Sequence, residues 1–127
     1  MTISESAKSV AQRECENLLS EQSGALAVVI ASADGFDLAS AVSKSLDPAR
    51  IAAMASSIAA IGSVVSQETH LGSSKSVTVN TESGFVYIAY VEVDSQACIL
   101  NVVADSSAIL AQVIYNCGEI RKRLGVL

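Results

Sequence analysis

The side chains able to do chemistry are few in this sequence, and they stand apart from one another. The single histidine, His70, falls where a helix is expected to end, a place where an imidazole caps carbonyls and complements the helix dipole. With one histidine and no paired cysteines, the usual ligand sets for a metal cannot be assembled within one chain. Cys15, Cys98 and Cys117 are an odd number without CxxC spacing. They read as buried thiols in a reducing compartment, not as a disulfide frame or a zinc site. Asp34 and Asp94 fall in expected turns, Asp47 and Asp105 at expected helix caps, so each of these carboxylates has a structural role. No two glycines stand closer than seven residues, which leaves no phosphate-cradling loop, and no Gly-x-Ser-x-Gly elbow is present. The five aromatics, Phe36, Phe85, Tyr87, Tyr90 and Tyr115, include no Trp and make thin walls for a small-ligand sensor pocket. The expectation is a non-enzyme with no catalytic residue, no metal and no cofactor.

The composition narrows the remaining classes. A net charge of −5 gives no electrostatic footprint for nucleic acid. The one basic cluster, Arg121-Lys122-Arg123, sits in the last turn of a helix, where cations suit the dipole. Met1-Thr2-Ile3-Ser4-Glu5 has neither the basic start nor the apolar run of a signal peptide. The uncharged stretch Ile51–Gln67 is too short and too often interrupted by Ser, Gly and Gln to span a bilayer. A cytoplasmic chain without membrane insertion is therefore expected. Half of the residues are apolar, yet only 17% are charged and 4% aromatic. One small domain of 127 residues does not need so much apolar surface with so few charges, which points to cover by a second subunit.

The elements that must position these residues follow from periodicity. From Ser4 to Glu21, Ala7, Val10, Ala11, Cys15, Leu18 and Leu19 recur at helical spacing, and Ser23-Gly24 breaks the pattern. Ala25–Ala33 is a continuous apolar run, read as a strand covered on both faces. Asp34-Gly35 suits a type I′ turn, and Phe36–Val42 returns with Phe36, Leu38, Ser40 and Val42 on one face. Asp47 as N-cap, Pro48 in the first helical position and a Leu46–Ile51 staple start a helix that runs to about Leu71, with Gly72 to end it. Lys75–Glu82 alternates as a strand, Glu82-Ser83-Gly84 is a short loop with a glycine free for positive φ, and Phe85–Val93 and Ala97–Ala104 follow as strands. The last helix is expected after Asp105-Ser106, with Leu110, Val113, Cys117, Ile120 and Leu124 in its stripe and Gly125 closing it. The order α-β-β-α-β-β-β-α predicts a single α+β domain over 1–127, a five-stranded antiparallel sheet with helices on both faces.

The central helix is the informative one. Its core stripe is expected at Ile51, Met54, Ala55, Ile58, Ile61 and Val65. The opposite face, at 100° per residue, carries Ala53, Ser56, Ala60, Ser63, Val64 and Gln67, where a free surface helix places Lys and Glu. These six are read as an interface. The third strand offers Val77, Thr78, Val79 and Asn80, an uncharged edge able to pair with a copy of itself.

Three stretches resemble the Roadblock (dynein light chain) family, close to its bacterial MglB-like branch. Gly24-Ala25-Leu26-Ala27-Val28-Val29-Ile30-Ala31-Ser32-Ala33-Asp34-Gly35-Phe36-Asp37-Leu38-Ala39 resembles the family's glycine-led first strand, Asp-Gly turn and second strand. Ile51-Ala52-Ala53-Met54-Ala55 is similar to the opening of its central helix. Ile114-Tyr115-Asn116-Cys117-Gly118-Glu119-Ile120-Arg121 is similar to its last helix, with Asn-Cys-Gly in place of Asn-Leu-Gly. The resemblance implies a Roadblock-like, profilin-like sandwich and a homodimer in which central helices pack and third strands pair. It also implies a Ras-like small GTPase as partner, bound on the side of the paired helices and altered in its hydrolysis or localisation. A dimeric adaptor for a larger assembly, indifferent to nucleotide, is the alternative. Arg50 is the only arginine near the implied partner surface, and as a solvated helix charge it offers little as an arginine finger.

Overall fold

The computed structural model describes residues 3–43 and 45–127. The expected order of elements is observed: α1 (Glu5–Glu21), β1 (Ala25–Ser32), β2 (Asp37–Val42), α2 (Pro48–Thr69), β3 (Ser76–Thr81), β4 (Gly84–Val93), β5 (Gln96–Asp105) and α3 (Leu110–Leu124). The strands form one antiparallel sheet in the order β2-β1-β5-β4-β3. β1 and β5 lie at its middle and pair over Ala25–Ser32 and Cys98–Ala104. β2 and β3 are therefore the two edges.

Helices cover both faces. Ala7, Ala11, Cys15 and Leu18 of α1, with Val113, Cys117, Ile120 and Leu124 of α3, pack on Val28, Ile30, Tyr87, Leu100 and Val102. On the other face α2 packs on Ala27, Val29, Ala31, Ile88 and Ile99. Successive β residues point to opposite faces, so β1, buried from Ala27 to Ser32, serves both cores.

Polar contacts pin the α1 layer. Ser4 Oγ accepts from Ala7 N at 3.2 Å as N-cap. Glu14, almost fully buried, accepts from Arg123 Nε at 2.6 Å and Nη2 at 2.9 Å, tying α1 to α3. Lys122 reaches Glu119 at 3.1 Å, and Arg121 Nε donates to Tyr90 O at 3.1 Å, so the basic cluster is spent on its own chain. Gln12 Nε2 donates to Ser40 O at 2.8 Å, and its Oε1 accepts from Ser40 N at 3.0 Å. A side-chain amide thus occupies the outer edge of β2.

Several local expectations are corrected. The type I′ turn lies at Asp94-Ser95, where both residues have positive φ between the paired Val93 and Gln96. At the first hairpin only Gly35 does (φ 95°). Gly35 N bonds Ser32 O there, and Phe36 N reaches Ser32 Oγ at 3.1 Å. A bulge between Ile30 and Ala31 follows, and Phe36 swings out to solvent while Ala39 is buried. Gly84 does not use positive φ. Its role is close approach, since a Cβ there would collide with the carbonyl oxygen of Ala104. The last helix begins at Leu110, after Ile109, because Asp105 Oδ1 closes the preceding turn on Ser107 N at 2.9 Å.

Candidate interaction surface

α2 starts as its sequence dictates: Asp47 Oδ1 accepts from Ala49 N at 3.0 Å, and Pro48 occupies the first turn. It ends on His70, whose backbone is left-handed (φ 56°, ψ 35°). The imidazole is exposed, and among the described residues no group of three His, Cys, Asp or Glu side chains comes together to hold a metal.

The side of α2 that meets the sheet differs from the expected stripe. Ile51, Ala52, Ala55 and Ala59 are buried, whereas Met54, Ile61 and Val65 are more than half exposed. Alanines let the helix axis come close to the sheet, and larger side chains are then displaced to the flanks and the outer face. At Gly62 an added Cβ would lie 3.0 Å from Val77 Cγ2, so helix and β3 meet almost backbone to side chain there.

This close seat divides α2 into two unlike flanks. Toward β3, Ile58, Ile61, Val65, Thr69 and Leu71 line a groove of about 440 Å³ with Val77 at its floor. The other flank is polar. Ser56 Oγ donates to Ala33 O at 2.8 Å, and Gly35 is packed against Ala53 and Ser56. Further along, Tyr90 OH donates to Ala59 O at 3.1 Å and sits 3.4 Å from Ser63 Oγ, beside an open recess lined by Ser66, Gln67 and His70.

The structure therefore splits the expected interface residues. Ala53, Ala60, Val64 and Gln67 are exposed on α2, while Ser56 and Ser63 are half-used by bonds to their own chain. On β3, Val77 and Thr78 are half-buried and Val79 and Asn80 exposed at the sheet's free edge. Arg50 projects into solvent, 3.8 Å from Asp47. Sequence reasoning missed Met54, Ile61, Val65 and Leu71 as surface. The signal was the Ala52-Ala55-Ala59 spacing, a small-residue stripe that competes with the larger apolar one for the sheet.

Over its 22 residues α2 is long and apolar enough, by length and composition, to cross a membrane, more than the stretch Ile51–Gln67 suggested. Here one side of it is packed on the sheet instead. The thiols offer no reactive centre: burial pushes Cys15 up to about 12, Cys98 to about 11 and Cys117 to about 12.

Residues 12–101 match the Roadblock/LC7 domain. The chain belongs to that family. No curated protein matches it in sequence. Among solved structures, this Roadblock domain is similar to an MglB with tetrameric arrangement (TM-score 0.83, 18% identity, 98% of this chain and 91% of the other). It is also similar to the gliding protein MglB of Thermus thermophilus (TM-score 0.82, 18% identity, 98% and 92%). A Roadblock/LC7 domain from Streptomyces avermitilis gives a TM-score of 0.78 at 20% identity over 88% and 92%. At these identities the likeness is one of fold, and the five-stranded sheet with helices in the order α-β-β-α-β-β-β-α is common to it.

Proposed function

We propose that this Roadblock domain is a non-enzymatic homodimer that binds a Ras-like small GTPase and modulates its GTP hydrolysis or localisation. The observation that carries the reading is the outward side of α2. Met54, Ile61, Val64 and Val65 all stand more than half exposed on it, with Leu71 exposed just past its end, next to an open strand edge. A row of large apolar side chains on one element marks a surface made to be covered. The second copy covers the flank toward β3, where the groove lies. The outermost side of α2 is left for the GTPase. Arg50 stands there as a charge that helps to dock, since nothing holds it in the fixed geometry an arginine finger needs. Three buried, unpaired thiols suit the reducing cytosol.

The likeness in fold to MglB and the chain's place in the Roadblock family, whose resemblance implies a small GTPase as partner, support the reading. The test mixes the purified chain with a Ras-like small GTPase from the same genome, sought first among the neighbouring genes, loaded with GDP or with a non-hydrolysable GTP analogue. Binding that prefers one nucleotide state, with a changed rate of GTP turnover, is the expected result. Equal binding in both states and unchanged turnover would move the protein to the adaptor class, and no binding in either would end the GTPase reading.

A further inference from the structure

After Ala59 the chain runs a long way without a buried residue. Every residue from Ala60 to Gly84 is exposed or half-buried, and the next buried one is Phe85. That stretch holds the second half of α2, the loop that follows it and β3. β3 is held by a regular ladder to β4. The second half of α2 has no comparable support.

The first half is well anchored. Ile51, Ala52, Ala55 and Ala59 are buried on the sheet, Asp47 caps its start, and Tyr90 OH donates to Ala59 O at 3.1 Å. Beyond that point the ties to the sheet are slight: Ser63 Oγ lies 3.4 Å from Tyr90 OH, and Gly62 passes close against Val77. The residues themselves are poor at holding a helix. Gly62 costs backbone entropy, Val64 and Val65 are β-branched, and Ser63, Ser66 and Thr69 offer the backbone other partners. Two of these offers are taken up: Ser66 Oγ donates to Ser63 O at 2.9 Å, and Thr69 Oγ1 to Val65 O at 2.8 Å. The last turn carries Glu68 and no base, which opposes the helix dipole. The helix stops on His70, a left-handed residue with a side chain, whose N–H reaches Gln67 O at a long 3.4 Å. A helical stretch as short as Ala60–Thr69, burying no side chain, is marginal in water.

We propose that in a lone protomer Ala60–Lys75 opens and closes as a unit of its own, and that a second copy locks it shut by covering Ile61, Val64 and Val65. The lock rests on the homodimer of the preceding subsection, whereas the opening needs only the single chain. The closed helix remains the main form, and the sheet, α1, α3 and the first half of α2 stay folded when the unit opens. Assembly thereby decides how firmly the outer surface of α2 is held. Val64 and Gln67 stand rigidly in place for a partner only when the copies are together.

Hydrogen exchange read by mass spectrometry separates the two halves of the helix. Each helical N–H bonds the carbonyl four residues back, so the amides of Val64–Thr69 bond wholly within the second half. In wild type diluted until it dissociates, those amides are expected to exchange within about 10- to 100-fold of an unstructured peptide, because a local opening of this kind costs little. The amides of Ala55–Ala59 are expected to be at least about tenfold slower again. Once the dimer forms, Val64–Thr69 is expected to slow by about tenfold or more, since the second copy binds the closed form alone. Where dilution does not part the copies, Val79→Asp, on the free edge and outside the segment, supplies the lone protomer. Ser66→Ala/Thr69→Ala raises helix propensity inside the segment. In the lone protomer it is expected to slow Val64–Thr69 by about three- to tenfold and to leave Ala55–Ala59 as it was. Equal exchange of the two halves in the lone protomer, or a double variant that slows both alike, would overturn the opening. Fast exchange that persists in the dimer would overturn the lock. A wild type that never dimerises would remove the homodimer instead, and the opening would then stand or fall on the two halves of α2 in that chain.

Discussion

Ile61→Asp separates interface from core more sharply than any other change. Ile61 is 63% exposed in the single chain, in the groove beside β3. An isoleucine taken wholly from water contributes roughly 1.5–3 kcal/mol, so covering its exposed part contributes about 1–2 kcal/mol per copy. A two-fold interface contains the residue twice, which makes about 2–4 kcal/mol, or roughly 30- to 1000-fold in the dissociation constant. Aspartate adds the desolvation of two carboxylates facing the same seam, several kcal/mol more. The folded protomer is expected to lose little, because the side chain is mostly in water there. Sedimentation across a concentration series should show the variant monomeric where wild type is dimeric, with a circular dichroism spectrum unchanged. A variant that dimerises as tightly as wild type would refute the assignment of this flank. One that unfolds would refute the claim that Ile61 lies outside the core.

Other expectations concern the fold that carries this surface. Glu14→Gln weakens a two-pronged link between α1 and α3. The Arg123 side chain is half exposed, which lowers the cost from the buried-pair range to about 1–2 kcal/mol, a melting point several degrees lower by calorimetry. Asn101, buried on the α2 face of the sheet, has an Oδ1 with no partner among the described residues and donates only at 3.4 and 3.5 Å. Asn101→Val is expected to stabilise by about 1 kcal/mol in urea titration, and a loss of stability would show that the amide is needed. The thiols set an alkaline limit. Their folded pKa values, about 11 to 12, lie above the ordinary 9, so the folded state keeps protons that the unfolded chain releases. Stability is then full below pH 9 and falls as pH rises toward 11–12, by at most about 4 kcal/mol per unit for three groups. Cys15→Ala should make that decline shallower in denaturant titrations at pH 8 and 10.

Much of the architecture was legible in the residues because local signals and tertiary demands agree. The cap Asp47-Pro48, the unbroken apolar run of β1 and the stripe Val113-Cys117-Ile120-Leu124 each specify one element and the face it buries. An acidic chain with one histidine and scattered carboxylates also showed no catalytic or phosphate-binding motif. Turn types were less legible. Asp34-Gly35 and Asp94-Ser95 are both plausible for a type I′ turn, and only the ladder beside each chooses: the bulge at Ile30–Ala31 relaxes the first, while the strict Val93–Gln96 pairing imposes the second.

The face that α2 turns inward was beyond the sequence. Its outer residues carry no strong polar signal, so two apolar stripes compete, one of alanines and one of Met54, Ile58, Ile61 and Val65. Periodicity gives the spacing of a stripe but not the distance between two layers. The sheet decided the matter, because Val29, Ile88 and Ile99 already fill the space beneath α2 and, past Ile51 in its first turn, leave the closest places to Ala52, Ala55 and Ala59. The larger side chains were thereby left on the outside, and with them the surface on which a partner can act.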